Sequence, residues 1–519
     1  MLPPYQNEPV TDFSQPAAQA AFKPALETVK KDIGKTYPLI INGEAITLGK
    51  TFPSINPARP AEIIGNFTDG TAAHADQAIA AASAAFKTWQ YVPVAERARY
   101  LLMAAAEMRR RKYEFDAMMV LEVGKSWYEA EADTAEAIDF LEYYARQALR
   151  IFDSSDLLAQ FPNEQDSLYY IPLGVGAVIP PWNFACAIVT GMVGACIATG
   201  NTVVLKPAEQ SPYVAYKMCE LFWNQGLPKG VLNFITGPGE VVGARMVIHP
   251  ETRFITFTGS MPVGVGIYEQ AAKLQPGQKW LKRAILEMGG KDAVVVDETA
   301  NLEAAAQGIV AGAFGFQGQK CSAGSRAIIV DGVYERVVGR VVQLASELIV
   351  GATDKGYDVN LGPVIDTDSL GKIMDYIELG TQEGKLLLGG APVNTPEGGY
   401  FVPPTIFGDV PREARIATEE IFGPVLTIVR ATDFDDALDI ANGTEYGLTG
   451  AVFSQDRARL ERARREYHVG NLYFNRKCTG AMVGVHPFGG FNMSGTDSKA
   501  GGPDYLLLYT QAKSVGDRL

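Results

Sequence analysis

Apolar residues recur along this chain with two different periods, and the change of period divides it. PLIINGE (38–44) sets a short apolar run against Asn42-Gly43, a dipeptide that suits a two-residue hairpin turn. From Thr71 to about Ala148, apolar positions fall three to four residues apart. AHADQAIAAASAAFKTW and AERARYLLMAAAEMRRRKYEF are Ala-rich with that spacing, which predicts helices. Short continuous apolar runs then alternate with helical stretches. LGVGAVI (173–179) and NTVVLKP (201–207) read as strands with a helix between them, and SPYVAYKMCELFWNQG opens on Ser-Pro and closes on glycine, as helices do. VLNFITG, RFITFTGS and AILEMGG continue the alternation. Strands apolar on both faces predict a mostly parallel sheet covered by helices, an α/β fold. A second series runs from about Asp292 to Val485, with DAVVVD, RAIIV, TIF, VLTIVR, TGAVFS and GNLYFN as strands. LLLYTQAKSV, near the C-terminus, is a strand candidate with no partner of its own.

Composition narrows the functions this pattern can serve. At 519 residues, two or three domains are expected. The formal charge of −13 argues against nucleic acid and anionic membrane surfaces as partners. The cysteines Cys186, Cys196, Cys219, Cys321 and Cys478 are odd in number and share no CxxC spacing, which argues against a disulfide scaffold or structural zinc. His74, His249, His468 and His486 lie far apart, so no histidine metal centre is expected. Ser167 to Leu205 contains no charged residue, but it breaks at Pro180-Pro181-Trp182-Asn183 and reads as strand, turn and buried helix rather than a membrane span. The first thirty residues contain no apolar signal region, and the expected location is cytoplasmic.

A doubly wound sheet invites a dinucleotide. Gly259-Ser260 follows the apolar run FITFT, so Ser260 and the backbone amides open a helix, a common phosphate position; an ordinary N-cap serine explains the same residues. Lys206-Pro207-Ala208-Glu209 ends the NTVVL strand, where lysine and glutamate suit ribose hydroxyls or simply each other. Gly237-Pro-Gly239-Glu-Val-Val-Gly243 resembles GxGxxG with one residue too many, a weak signal.

The sharpest chemical sequence surrounds Cys321, in FGFQGQKCS. Cys186, Cys196 and Cys219 sit in apolar helical runs and read as core. A polar cysteine needs local dipoles, nearby lysines or a base to act as a nucleophile, because a free thiol is only about 3% thiolate at pH 7. Glu287, before Gly289-Gly290 at a strand end, is a candidate general base, and equally a capping or salt-bridged glutamate. Asn183, after a buried strand, would supply half of an oxyanion hole. Cys478, in NRKCTGA, is the second polar cysteine but has no carboxylate near it in sequence.

PWN, KPAE, FTGS, LEMGGK, FxxxGQxC and EIFGP occur in this order over nearly the whole chain, and together they resemble the aldehyde dehydrogenase superfamily. The resemblance implies Cys321 as nucleophile, Glu287 as base, and Asn183 with the Cys321 amide as the oxyanion hole. It also implies Lys206 and Glu209 at the adenine ribose, Gly259 and Ser260 at the pyrophosphate, and Glu420 and Phe422 beside the nicotinamide. The implied fold is a Rossmann-type NAD-binding domain (1–152 and 172–289), an α/β catalytic domain (290–486) and a β flap (153–171 and 487–519) that joins subunits into a homodimer or larger homo-oligomer. No metal is implied.

Within that superfamily, GQKCSAGSR, NRKCTGAMVGVHPFGGFNMSGT and KAGGPDYLL resemble the enzymes that oxidise glutamate γ-semialdehyde to glutamate in proline catabolism. That substrate needs a carboxylate site away from the aldehyde. Thr479-Gly480-Ala481 can present successive amides as an anion nest, with Ser322 as a further donor, and a plain turn is the alternative. Phe184 and Phe488 would line the aliphatic part, and Glu136 would meet the substrate ammonium. Gly324 departs from the expected pattern, where a larger residue belongs. NAD is the expected cofactor, with NADP left open. Another semialdehyde, a Cys-Glu hydrolase without redox chemistry, and a non-catalytic protein on the same fold are the competing readings.

Overall fold

The computed structural model describes residues 2–152, 158, 159 and 161–518. Two seven-stranded sheets dominate it. Val175–Ile179, Thr202–Leu205, Leu232–Phe234, Thr252–Thr258 and Arg283–Glu287 run parallel in the first, with Arg283–Glu287 at its edge. Numbered by sequence they stand in the order 3-2-1-4-5. The order reverses between Val175–Ile179 and Thr252–Thr258, and in such sheets a crevice opens there at the carboxyl ends of the strands. Leu39–Ile41 and Glu44–Ile46 add an antiparallel hairpin at one edge. Its turn residues, Asn42 and Gly43, both have positive φ (53° and 70°), as a hairpin twisted like its strands requires.

All six strands expected in the second series form the other sheet, joined at its edge by the antiparallel strand Lys385–Leu388. Side chains alternate between the two faces of each sheet. Phe254 enters one core and Ile255 and Phe257 the other; Ala293 and Val295 enter one, Val294 and Val296 another. The chain leaves the first sheet at Glu287 and enters the second at Ala293, so the turn between them lies where the two sheets meet.

The helical region resolves into Ala72–Trp89, Val94–Arg110, Lys112–Glu122 and Trp127–Phe152. The uncharged stretch becomes part of an edge strand, then Val175–Ile179, then the buried helix Ala187–Thr199. Among the described residues, no helix is long and apolar enough to cross a membrane.

Three features differ from expectation. Pro16–Asp32 forms a helix whose Phe22, Leu26 and Val29 are buried, although its polar composition had masked that stripe. The C-terminal strand begins at Thr510, because Tyr505–Tyr509 winds into a tight helical turn with both tyrosines buried. That strand, Thr510–Arg518, pairs along its whole length with Glu164–Pro172. Residues 487–509, which the expected flap includes, are not in this two-stranded sheet but pack against the body. Of the flap's first half, residues 153–157 and 160 lie outside the described residues.

Phe254 is fully buried, sets its ring edge-on to Tyr509 (5.5 Å, 88°), and occupies the space a side chain at Gly176 would fill. Replacing it with alanine is expected to cost about 3–5 kcal/mol. Calorimetry should show a lower thermal midpoint; an unchanged midpoint would remove the core role given to this ring.

Candidate active site

Cys321 is carried by a loop that regular geometry would not produce. The helix Leu302–Phe314 ends, and the next two non-glycine turns, Phe316 and Gln317, adopt left-handed φ (49° and 57°) although both are buried. Such conformations cost of order 1–3 kcal/mol each and persist only when the surroundings impose them. Here the Gln317 amide group donates to the Pro363 carbonyl (2.8 Å) and the Gly124 carbonyl (3.2 Å). Gln319 Oε1 accepts from the Ile365 amide (3.0 Å), and Asn183 Nδ2 donates to the Gln319 carbonyl (3.0 Å). The loop is thereby tied to three separate segments and leaves Cys321 half-buried.

The thiol faces acidic neighbours. Burial pushes it well above the ordinary cysteine range, and Asp292, Glu287 and Glu420 push it further. Lys320, the cation beside it in sequence, turns away to pair with Glu129 (2.7 Å). Activation by a neighbouring lysine, one of the options open from sequence, is therefore not the arrangement found.

Glu287 ends the strand Arg283–Glu287 and bridges to Gly495. It is neither a helix cap nor salt-bridged. Ser498 donates a short hydrogen bond to Oε1, while Oε2 is buried without a hydrogen-bond partner among the described residues. Desolvation raises its pKa to about 8 against the opposing pull of Ser498 and Lys499. Glu287 and Cys321 line one cavity of about 110 Å³. Phe184, Phe488, Ser322, Gly480 and Ala481 line it too, as does Glu136, which burial and Asp133 push up to about 8.

The turn at Gly480 has a left-handed φ of 82°. Arg476 takes the carbonyls of Thr479 (2.8 Å) and Gly480 (2.9 Å), and among the described residues the amides of Gly480 and Ala481 have no acceptor. Cys478 is buried, its thiol pushed up to about 12 by burial, and its Sγ packs over Gly324 and Gly312. It is a core residue, and a side chain at Gly324 would meet it at 3.0 Å, which explains the glycine.

On the other side of the thiol, Glu420 Oε1 accepts from the Gly290 amide (3.0 Å), and a side chain at Gly289 would overlap its carboxylate. Phe422, at φ 64°, sets its ring edge-on to Trp182 (5.6 Å). Lys206 and Glu209 pair with each other at 2.8 Å, Lys206 being buried. Ser260 is the N-cap residue of the helix Met261–Ala272, but its hydroxyl makes no capping bond, so the ordinary N-cap explanation does not use it.

This constellation sets a thiol and a carboxyl group against one cavity. The aldehyde dehydrogenase family model matches residues 45–515. The chain belongs to the aldehyde dehydrogenase family. It is 57% identical over 517 residues, the full length of both chains, to a 1-pyrroline-5-carboxylate dehydrogenase of Geobacillus sp. (strain WCH70). It is 54% identical, again over the full length of both, to 1-pyrroline-5-carboxylate dehydrogenase 2 of Bacillus subtilis (strain 168). A solved 1-pyrroline-5-carboxylate dehydrogenase from Thermus with bound NAD matches with a TM-score of 0.98 and 52% identity, covering both chains completely.

Sequence reasoning missed Ser498. Its partner Glu287 is 211 residues away, and nothing in NMSGTDSK marks that hydroxyl. Gln317 and Gln319 were visible only as polar flanks of the cysteine, not as the struts that hold this aldehyde dehydrogenase loop.

The other four cysteines are buried, so one equivalent of iodoacetamide should label the native protein, at Cys321, by peptide mapping. Because its thiol stays protonated, the labelling rate should rise about tenfold per pH unit from 7 to 9. A plateau near neutrality would mean a thiolate already formed.

Proposed function

We propose that this chain oxidises L-glutamate γ-semialdehyde to L-glutamate with NAD as electron acceptor. One observation carries the reading: a single cavity is lined by Cys321, Glu287 and the Gly480-Ala481 turn, whose amides have no acceptor among the described residues. The full-length likeness to 1-pyrroline-5-carboxylate dehydrogenases supports it.

Cys321 is the nucleophile in this reading. Glu287 accepts the thiol proton as the aldehyde carbon is attacked, since the thiol is too basic to ionise alone. The second hydrogen of Asn183 Nδ2 and the Cys321 amide, which has no acceptor among the described residues, hold the oxyanion, an effect worth about 3 kcal/mol per donor. After oxidation the acyl group is a thioester on Cys321, and Glu287 activates the water that releases glutamate. The substrate carboxylate sits on the Gly480 and Ala481 amides with Ser322 beside them. Phe184 and Phe488 cover the methylene groups, and Glu136 faces the ammonium.

The residues at the strand ends fit a dinucleotide. Gly259 and Ser260 lie at the carboxyl end of Thr252–Thr258, where the uncommitted Ser260 hydroxyl and the first amides of the helix suit a pyrophosphate. Lys206 and Glu209 follow Thr202–Leu205, one strand removed from Thr252–Thr258 in the sheet, and suit ribose hydroxyls, the carboxylate favouring NAD over a 2′-phosphate. Glu420, held by the Gly290 amide, and Phe422 would hold the nicotinamide half. Bound NAD supplies the hydride acceptor.

The proposed division assigns 1–152 and 172–289 to cofactor binding and 290–486 to catalysis. The exposed two-stranded sheet Glu164–Pro172 with Thr510–Arg518 would join two copies, since an isolated hairpin-like pair is marginal alone.

Initial rates of NADH formation test the substrate. Glutamate γ-semialdehyde should show a higher kcat/KM than succinic semialdehyde, aminoadipic semialdehyde or pentanal, and Cys321→Ala should abolish turnover while NAD binding survives. A better rival substrate overturns the assignment; turnover without NAD would favour a hydrolase. The pH profile tests the base. With Glu287 held up near 8, kcat/KM should fall as pH drops below about 8, as the carboxyl protonates. Ser498 favours the charged form, so Ser498→Ala should move that limb upward; an unmoved limb would assign it to another group.

A further inference from the structure

Residues 5–13 run as an extended arm over the helices Lys112–Glu122 and Trp127–Phe152 before the first helix begins. The arm lies outside the family match, which starts at residue 45. It is nonetheless fastened closely. The Thr11 amide donates to Glu131 (2.7 Å), Lys112 donates to the Pro9 carbonyl (2.8 Å), and the Glu8 amide donates to Asp139 Oδ1 (2.7 Å).

Its tip reaches the turn that carries the unpaired amides. Asn7 Nδ2 donates to Asp139 Oδ2 (2.8 Å) and to the Val483 carbonyl (3.0 Å), and the Tyr5 hydroxyl donates to the same carbonyl (3.2 Å). The Tyr5 ring stands edge-on to Tyr143 (5.0 Å), and both rings close over Gly484, where a side chain would meet Tyr5 at 2.9 Å and Tyr143 at 3.0 Å. Val483 is buried and stands two residues after Ala481.

The turn is thus gripped from two sides. Arg476 takes the carbonyls of Thr479 and Gly480, and the arm takes that of Val483. With its carbonyls so committed, the segment keeps the Gly480 and Ala481 amides free to face the cavity. Asp139 lies one helical turn after Glu136, so one helix both fixes the arm and lines the cavity.

We infer that Tyr5 and Asn7 are specificity-determining positioning residues: through Val483 they hold the Gly480-Ala481 turn in the conformation that receives the substrate's carboxylate. Neither residue touches the reacting atoms. The inference rests on the proposed substrate, and the two are separable. The wild-type preference for glutamate γ-semialdehyde over pentanal tests the substrate reading alone.

The test compares wild type with Tyr5→Phe/Asn7→Ala by steady-state kinetics. KM for the semialdehyde and the inhibition constant of L-glutamate should both rise about tenfold. Its kcat, and kcat/KM for pentanal, which has no carboxylate, should stay within about twofold, the ratio expected for a purely positional loss of uniform binding. Tyr5→Phe alone keeps the ring over Gly484 and is read in the same way if the double variant does not fold, with a smaller rise expected. If KM and the glutamate constant stay put, or if pentanal loses as much as the semialdehyde, the inference is overturned. Failure of the wild type to prefer the semialdehyde would instead overturn the substrate assignment.

Discussion

Four acidic groups, Cys321, Glu287, Asp292 and Glu420, gather where the two sheets meet, Glu287 and Asp292 buried and Cys321 and Glu420 half-buried, and charging them together is costly. Burial penalises each ionised form, and neighbouring carboxylates add to the shift at Cys321 and Asp292, so all four are shifted in the same direction. In the proposed reaction the thiol rests protonated and becomes nucleophilic only when a carbonyl is near enough to share the developing charge and Glu287, raised to about 8, takes the proton in its ionised form. The same crowding makes the donors valuable: the Asn183 amide group, the Gly290 amide and Ser498 each offer hydrogen where negative charge is expensive. Even the commitment of Lys320 to Glu129 belongs to this balance, because it keeps a cation from lowering the thiol at rest.

The fold's part is to make that crowding possible. Glu287 is the last residue of one sheet, Asp292 precedes the first strand of the other, and Cys321 precedes Arg326–Val330. Strand ends are held by their ladders, so Glu287 and Asp292 sit on rigid supports, while Cys321 rides on a loop that its own side-chain contacts must hold. The connecting loops absorb the cost, with left-handed backbone at Phe316, Gln317 and Phe422 and side-chain amides hydrogen-bonded to backbone groups of distant segments.

That division explains what the sequence revealed. Central strands such as DAVVVD and RAIIV are apolar on both faces, and a continuous apolar run between turns is visible without a structure. The chemical groups were visible because Cys321, Glu287 and Asn183 stand beside glycines, prolines and polar residues that a core would not use. The supports were not visible. Ser498 meets Glu287 across 211 residues, and Asn7 meets Val483 across 476, so no local pattern joins them. Tyr505–Tyr509 misled for a related reason: an apolar run reads as a strand, yet its tyrosines are claimed by each other (2.6 Å) and by Thr256 (3.1 Å), which winds the segment tightly. Cys478 misled in the opposite direction. Its neighbours in sequence are polar, but its neighbours in space are two glycines that leave room for sulfur and nothing more.

Charge sets the final constraint. The chain carries −13, so its overall field weakly opposes an anionic substrate. A lysine or arginine in the cavity would answer that, but it would also depress the pKa values on which the resting state depends. Backbone amides avoid the conflict. They attract a carboxylate over a short range and contribute little to the field at a thiol farther along the cavity. Their weakness is that a turn can present its carbonyls instead, by rotating a peptide. In the proposed reading, recognition by amides requires that the carbonyls of the same turn be held elsewhere, and Arg476 on one side and the amino-terminal arm on the other would supply that hold.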